Sequence, residues 1–183
     1  TSNVLNHHVQ SEVPIQLPFS RLFLYYGGRQ AIGQENRDDG AQIRDVFKAV
    51  ANLGACSEIT WPFDANNVTE KPSGDSYAEA VKFKAVTYSR LNNNKQELVG
   101  CLLEGFSFVF GFSVFESFES QEVADTGEAN LPSAHESCVG GHAVCCVGYD
   151  MDSDRFIVAN SWVKNGARMA ILLSLLIISA ILN

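Results

Sequence analysis

Apolar residues recur at helical spacing through much of the first hundred positions of this 183-residue chain and then at a spacing of two. From Thr1 to Glu12, Val4, Leu5, His8 and Val9 share one face, and Thr1 or Ser2 can cap the segment. Phe19, Leu22, Phe23 and Tyr26 repeat at i, i+3, i+4 and i+7, with Ser20 near the start and Gly27-Gly28 as the stop. That pattern predicts a short helix over Phe19–Tyr26. A polar, flexible stretch from Gly33 to Gly40 precedes a helix over Ala41–Leu53, with Ile43, Val46, Phe47 and Val50 on one face, Gly54 as the stop and Asp39 as a candidate cap. Ala85–Leu91 reads as a strand. Asn94 can cap a helix that carries Leu98, Cys101 and Leu102 and ends at Gly105.

The period then changes. Phe106, Phe108, Phe110, Phe112 and Val114 alternate with smaller residues, which places four rings on one face of a strand and marks that face as core. Glu116–Val139 reads as a long acidic surface loop. Val144–Tyr149 and Arg155–Ala159 are both apolar and β-prone, and the acid-rich stretch Asp150–Asp154 between them predicts a turn. A hairpin pairs the start of its first strand with the end of its second, so His142 and Asn160 are expected side by side.

Composition narrows the partners. An apolar fraction of 46% excludes a disordered chain, and the length suffices for one domain or two small subdomains. A net charge of -8 argues against nucleic acid or an anionic membrane, both of which need a basic footprint. Five cysteines without CxxC spacing give neither a zinc site nor a disulfide framework, and they do not identify a compartment. Cys145 and Cys146 are neighbours on a strand and are expected to fill the core on opposite faces. The acidic turn imitates half of a calcium loop, but its sixth position would be Arg155 and its twelfth Ser161, so no metal is expected.

An imidazole held by a neutral amide suits a thiol nucleophile: the His moves the proton, and the Asn orients a ring that rests as imidazolium beside thiolate. Gly141-His142-Ala143, Val147-Gly148-Tyr149 and Asn160-Ser161-Trp162 resemble the His and Asn blocks of the papain-like cysteine peptidases. The resemblance, strongest to a bacterial-type branch, extends to FSRLFLYYGGR and CSEITWPFD and covers most of residues 1–162. It implies an α+β fold in which a helical part and an antiparallel β-rich part meet at a cleft, and hydrolysis of extended peptides through an acyl-enzyme without a cofactor. By the same resemblance His142 is general base and acid, Asn160 orients it and Trp162 shields their contact, while Gly40 and Ala41 fall where a backbone stretch holds substrate.

Thr1-Ser2-Asn3 looks like the family's continuation just after its nucleophile, so the chain is expected to begin one residue past the catalytic Cys and past the Gln of the oxyanion hole. On that reading these residues alone hydrolyse nothing. Cys138, four residues before His142, stands roughly 13 Å away along an extended strand and pairs with it only if the chain turns. Two other readings stay open: a peptide-binding or split-partner relative without catalysis, and a hydrolase whose nucleophile is Thr1 itself. The family pattern stops after Trp162, which divides the sequence into a partial peptidase domain, 1–162, and a divergent tail, 163–183. The tail holds 14 apolar or small residues from Met169 to Leu182. As a helix this stretch spans about 21 Å, short of a roughly 30 Å hydrocarbon core, so a simple membrane span is not expected. A buried helix or strand, a membrane-associated end or a shifted reading frame would account for it, and the abrupt break in the family pattern and the lack of a polar face favour the shifted frame.

Overall fold

The computed structural model describes residues 18–85, 87–164 and 167–174, with backbone alone for 161–164, 167–172 and 174. The helix expected over Thr1–Glu12 lies outside the described residues. The chain divides between Arg90 and Leu91 into two compact units, one helical and one built on a sheet.

In the first unit, helix α1 spans Arg21–Gln30 and begins two residues later than Phe19, because Ser20 caps it: Ser20 Oγ accepts the Phe23 N–H at 3.0 Å and donates to the Trp61 carbonyl at 2.6 Å. It does not stop at Gly27-Gly28. Helix α2, Ile43–Leu53, lies against it so closely that a Cβ on Gly28 would come within 2.6 Å of Val46 Cγ2, and one on Gly27 within 3.2 Å of Ala49 Cβ. The glycine pair admits a neighbouring helix instead of ending its own. Gln42, not Asp39, is the cap residue of α2. Gly54 closes α2 as expected, with φ +90°, and a Cβ there would sit 1.7 Å from the Ala80 carbonyl oxygen. Two apolar clusters hold the unit, one of Phe19, Leu24, Val46, Val50 and Ala55, the other of Phe23, Cys56 and Ala80. Ala80 ends helix α3, Gly74–Ala80, which Ser73 caps. The strand expected over Ala85–Leu91 is not formed among its described residues: Ala85 bonds the Val50 carbonyl at 3.4 Å and residues 87–90 are exposed, with no neighbouring strand to complete a ladder.

The second unit opens with helix α4, Lys95–Leu103, whose first turn is closed by Asn94 Oδ1 accepting the Glu97 N–H at 2.9 Å. Strand β1 spans Phe108–Phe115 with strictly alternating burial. Phe106 is left outside it, half exposed, because Gly105 turns the chain at φ +86°; three rings and Val114, not four rings, face the core. The segment expected as a surface loop is instead built from a 3₁₀ turn, Glu116–Glu119, helix α5, Gln121–Thr126, and the two-residue strand β2, Glu128–Ala129. Phe118, Val123 and Ala129 anchor it in the core, one apolar residue for each short element. Glu136 pins it further, accepting the N–H groups of Ser117 at 3.1 Å and Ser133 at 2.9 Å.

Strands β3, Cys138–Asp150, and β4, Arg155–Lys164, are the predicted hairpin, longer at its open end than the apolar runs suggest. Strand β5, Ala167–Ser174, pairs antiparallel with β4, so part of the apolar tail is a strand of this sheet. The order is β1-β3-β4-β5-β2, with β2 parallel to β5. Phe108, Phe110 and Phe112 stand opposite Cys146, Val144 and His142, and Val158 stands opposite Cys146 from the other side. A bulge between Cys146 and Gly148 resets the alternation, placing Tyr149 opposite Phe156 with ring centroids 5.0 Å apart. Among the described residues no helix is long and apolar enough to cross a membrane.

Two predictions follow from this packing. Gly54→Ala meets both a left-handed φ and the Ala80 carbonyl, and should cost about 2–4 kcal/mol in urea unfolding while Gly74→Ala, in open space, costs far less. Burial pushes the Glu58 carboxyl up, but the Arg21 guanidinium at 2.8 Å and the N–H groups of Arg21 and Phe63 hold it below the usual range. A lowered folded pKa means stability that is present above the ordinary value of about 4.3 and lost as pH falls through the folded value. Glu58→Gln should therefore flatten the acid limb of a stability-against-pH curve and leave the limb above pH 7 unchanged in shape.

Candidate active site

The site sits at the open end of the β3–β4 hairpin. Positions 142, 144 and 146 of β3 and 156, 158 and 160 of β4 share the core face. Asn160 continues the row of Phe156 and Val158 and is fully buried, whereas His142, at the row's end on β3, is half-buried. The two are diagonal neighbours across the strand pair, close enough for side chains of this length to meet. His142 Nε2 lies 2.9 Å from Asn160 Oδ1. An amide oxygen accepts only, so this bond requires the proton on Nε2 and puts the lone pair of the neutral ring on Nδ1. The edge of the imidazole meets the Phe112 ring, centroids 5.8 Å apart and planes at 66°, which limits its rotation from a second direction.

The other expected site residues fall elsewhere. Trp162 lies on β4 two positions past Asn160, and its side chain is outside the described residues, as are Thr1 and everything else before residue 18. Gly40 and Ala41 belong to the helical unit. Gly40 has φ +88°, and its N–H donates to Tyr25 Oη at 3.0 Å, which in turn donates to Asp38 Oδ1 at 2.5 Å. Ala41 packs on the Phe19 and Leu24 cluster.

The five cysteines do not have the environment of an activated thiol, whose pKa is lowered by a neighbouring cation or helix terminus. Burial raises Cys145 to about 11 and Cys146 to about 12. Burial and then Glu79 raise Cys56 to about 11, while burial and then Glu104 push Cys101 upward. Cys138, the first residue of β3 and four positions before His142, is exposed, with its thiol directed to the Gly140 carbonyl at 3.4 Å. The carboxylates of the hairpin turn are engaged locally: Asp150 accepts from the Asp152 N–H and Ser153 Oγ, and Asp154 from Lys95 at 2.5 Å and from Tyr149. Among the described residues no group of three or more His, Cys, Asp and Glu side chains could hold a metal ion.

Two residues escaped the sequence reading. Phe112 was legible as core but not as the ring beside His142, because the partner position depends on the β1–β3 register. Tyr25 lies on the helical repeat flank of α1, and nothing in its spacing announces a bond to Gly40, fifteen positions on.

A half-buried His hydrogen-bonded to a fully buried Asn at the open end of a hairpin is the arrangement expected of papain-type thiol peptidases. Residues 33–169 match the papain family of cysteine proteases. An uncharacterized peptidase C1-like protein of Acanthamoeba polyphaga mimivirus is 42% identical over 151 residues, 78% of this chain and 49% of the relative. The chain thus spans about half the length of that curated relative. Xylellain, a cysteine protease from Xylella fastidiosa, superposes with a TM-score of 0.86 at 33% identity, over 97% of this chain and 72% of that one. Digestive procathepsin L 3 of Tenebrio molitor shares the fold at a TM-score of 0.66 and 14% identity, over 94% of this chain and 55% of that one. The chain belongs to the papain family of cysteine peptidases.

The Nε2-protonated tautomer is testable without any activity. In a long-range nitrogen–proton NMR spectrum of the imidazoles, His142 of the unsubstituted chain should show a protonated Nε2 above the range where the ring is cationic. Asn160→Ala should shift the ring toward a mixture of tautomers, and an unchanged spectrum would remove Asn160 as the orienting group.

Proposed function

We propose that His142 and Asn160 are the proton-transfer half of a thiol peptidase that cleaves extended peptides. The bond between Nε2 and the buried Asn160 amide carries this reading. Nδ1 takes the proton of a thiol, and the thiolate attacks the scissile carbonyl carbon to give a tetrahedral oxyanion. The imidazolium then hands its proton to the departing amine as the acyl-enzyme forms. Water, deprotonated by the same nitrogen, hydrolyses the thioester and restores the thiol. Asn160 keeps the ring in the productive tautomer, Trp162 covers the contact, and Gly40 and Ala41 hold substrate through their backbone. The raised thiols of Cys56, Cys101, Cys145 and Cys146, and the direction of the Cys138 thiol toward the Gly140 carbonyl, favour a nucleophile other than these five cysteines.

Joining a segment that contains Gln and Gly-Ser-Cys to Thr1 should produce peptide cleavage that a thiol alkylator abolishes. His142→Ala should then lower kcat by about 10³-fold or more, and Asn160→Ala by less. Activity indifferent to His142→Ala ends the reading. Peptide binding without cleavage in the extended chain would instead support a non-catalytic relative, and alkylator-sensitive cleavage by the 183 residues alone would place the nucleophile among the five cysteines.

A further inference from the structure

Arg29 is among the largest side chains in the protein that are fully removed from solvent. Its acceptors are all main-chain oxygens: Nε donates to Tyr25 at 3.3 Å, Nη1 to Glu35 at 3.2 Å and to Arg37, and Nη2 to Val68. The guanidinium carbon lies 4.0 Å from the centre of the Tyr25 ring. One planar cation on α1 therefore ties down the loop that follows the helix and the 3₁₀ turn near Val68, while stacking on the ring whose hydroxyl bonds Asp38 and the N–H of Gly40. Positions 35, 37, 38 and 40 of the loop are each held by one of two residues, Tyr25 and Arg29, a single helical turn apart. The arrangement needs the fork of a guanidinium, since an ammonium offers three donors from one point and no flat face to lay on the ring.

We propose that Arg29 and Tyr25 are positioning residues for peptide binding: they set the backbone of residues 35–40 so that Gly40 can present its carbonyl oxygen to an extended peptide. The inference rests on the reading of Gly40 and Ala41 as a substrate-binding stretch. With the Gly40 N–H already engaged by Tyr25, its carbonyl is the group left to meet a peptide N–H. Extended peptides are recognised through such main-chain bonds, and these weaken steeply if the receiving strand is free to move.

The test combines amide hydrogen exchange on the 183-residue chain with binding of a fluorescein-labelled, end-blocked casein peptide. Tyr25→Phe keeps the ring under Arg29 and removes only the hydroxyl. It should speed exchange at Gly40 about tenfold and weaken the peptide about five- to tenfold, with amides of β3 and β4 unchanged. Arg29→Lys should speed exchange across residues 35–40 and weaken the peptide at least as much. Unaltered Gly40 exchange in Tyr25→Phe overturns the proposal. So does faster exchange with unaltered affinity, which would make the contact structural only. An unsubstituted chain that does not bind the peptide removes the loop from recognition and this inference with it, whereas the proton-transfer reading is judged separately by His142→Ala.

Discussion

The site depends on one constraint of β-structure: successive side chains on a strand face opposite sides, so a polar residue at the end of a buried row inherits the dryness of that row. Asn160 is the polar member of the row Phe156, Val158, Asn160, and on β3 His142 continues the row Cys146, Val144. Burial makes the bond between them consequential. An amide in water would exchange its imidazole partner for solvent at little cost, whereas a fully buried one loses a hydrogen bond it cannot replace. The apolar rings of β1 therefore protect that bond indirectly, since Phe108, Phe110 and Phe112 line the same face of the sheet as the pair.

The same reasoning explains why the sheet tolerates a bulge at Val147. Without it, Tyr149 would face away from Phe156, and the hairpin would lose an aromatic contact near its turn. The extra residue sits between the turn and Cys146, so the register from Cys146 toward the open end stays in phase with the Phe row. The irregularity is thus confined to the end of the hairpin remote from the site.

In the helical unit the organising element is a polar one. Gly27 and Gly28 let α1 and α2 approach, and Arg29, the next residue, is fully buried. A buried guanidinium must find acceptors, and here they are carbonyls of the loop that would otherwise be loosely held. The residues that admit α2 and the residue that holds the loop after α1 are thus neighbours in sequence, Gly27, Gly28 and Arg29.

Local pattern alone determined the helix that starts near Ser20, the cap of α4 at Asn94, the alternation of β1, the hairpin, and the adjacency of His142 and Asn160, because each depends on residues within a turn or on a single short-range pairing. Tertiary structure decided what depends on distant partners. Gly27-Gly28 reads as a stop until Val46 and Ala49 lie against it. Ala85–Leu91 reads as a strand but has no edge to pair with, and the segment after β1 reads as solvent-exposed because each of its short elements carries one anchoring apolar residue, too few for a period. Residues 167–174 could be assigned to the sheet only once β4 and β2 were in place on either side. His142 and Asn160 were legible because a hairpin brings together residues that are close in sequence; Tyr25, Arg29 and Gly40 were not, because their bonds are made by the path of a loop that follows no period.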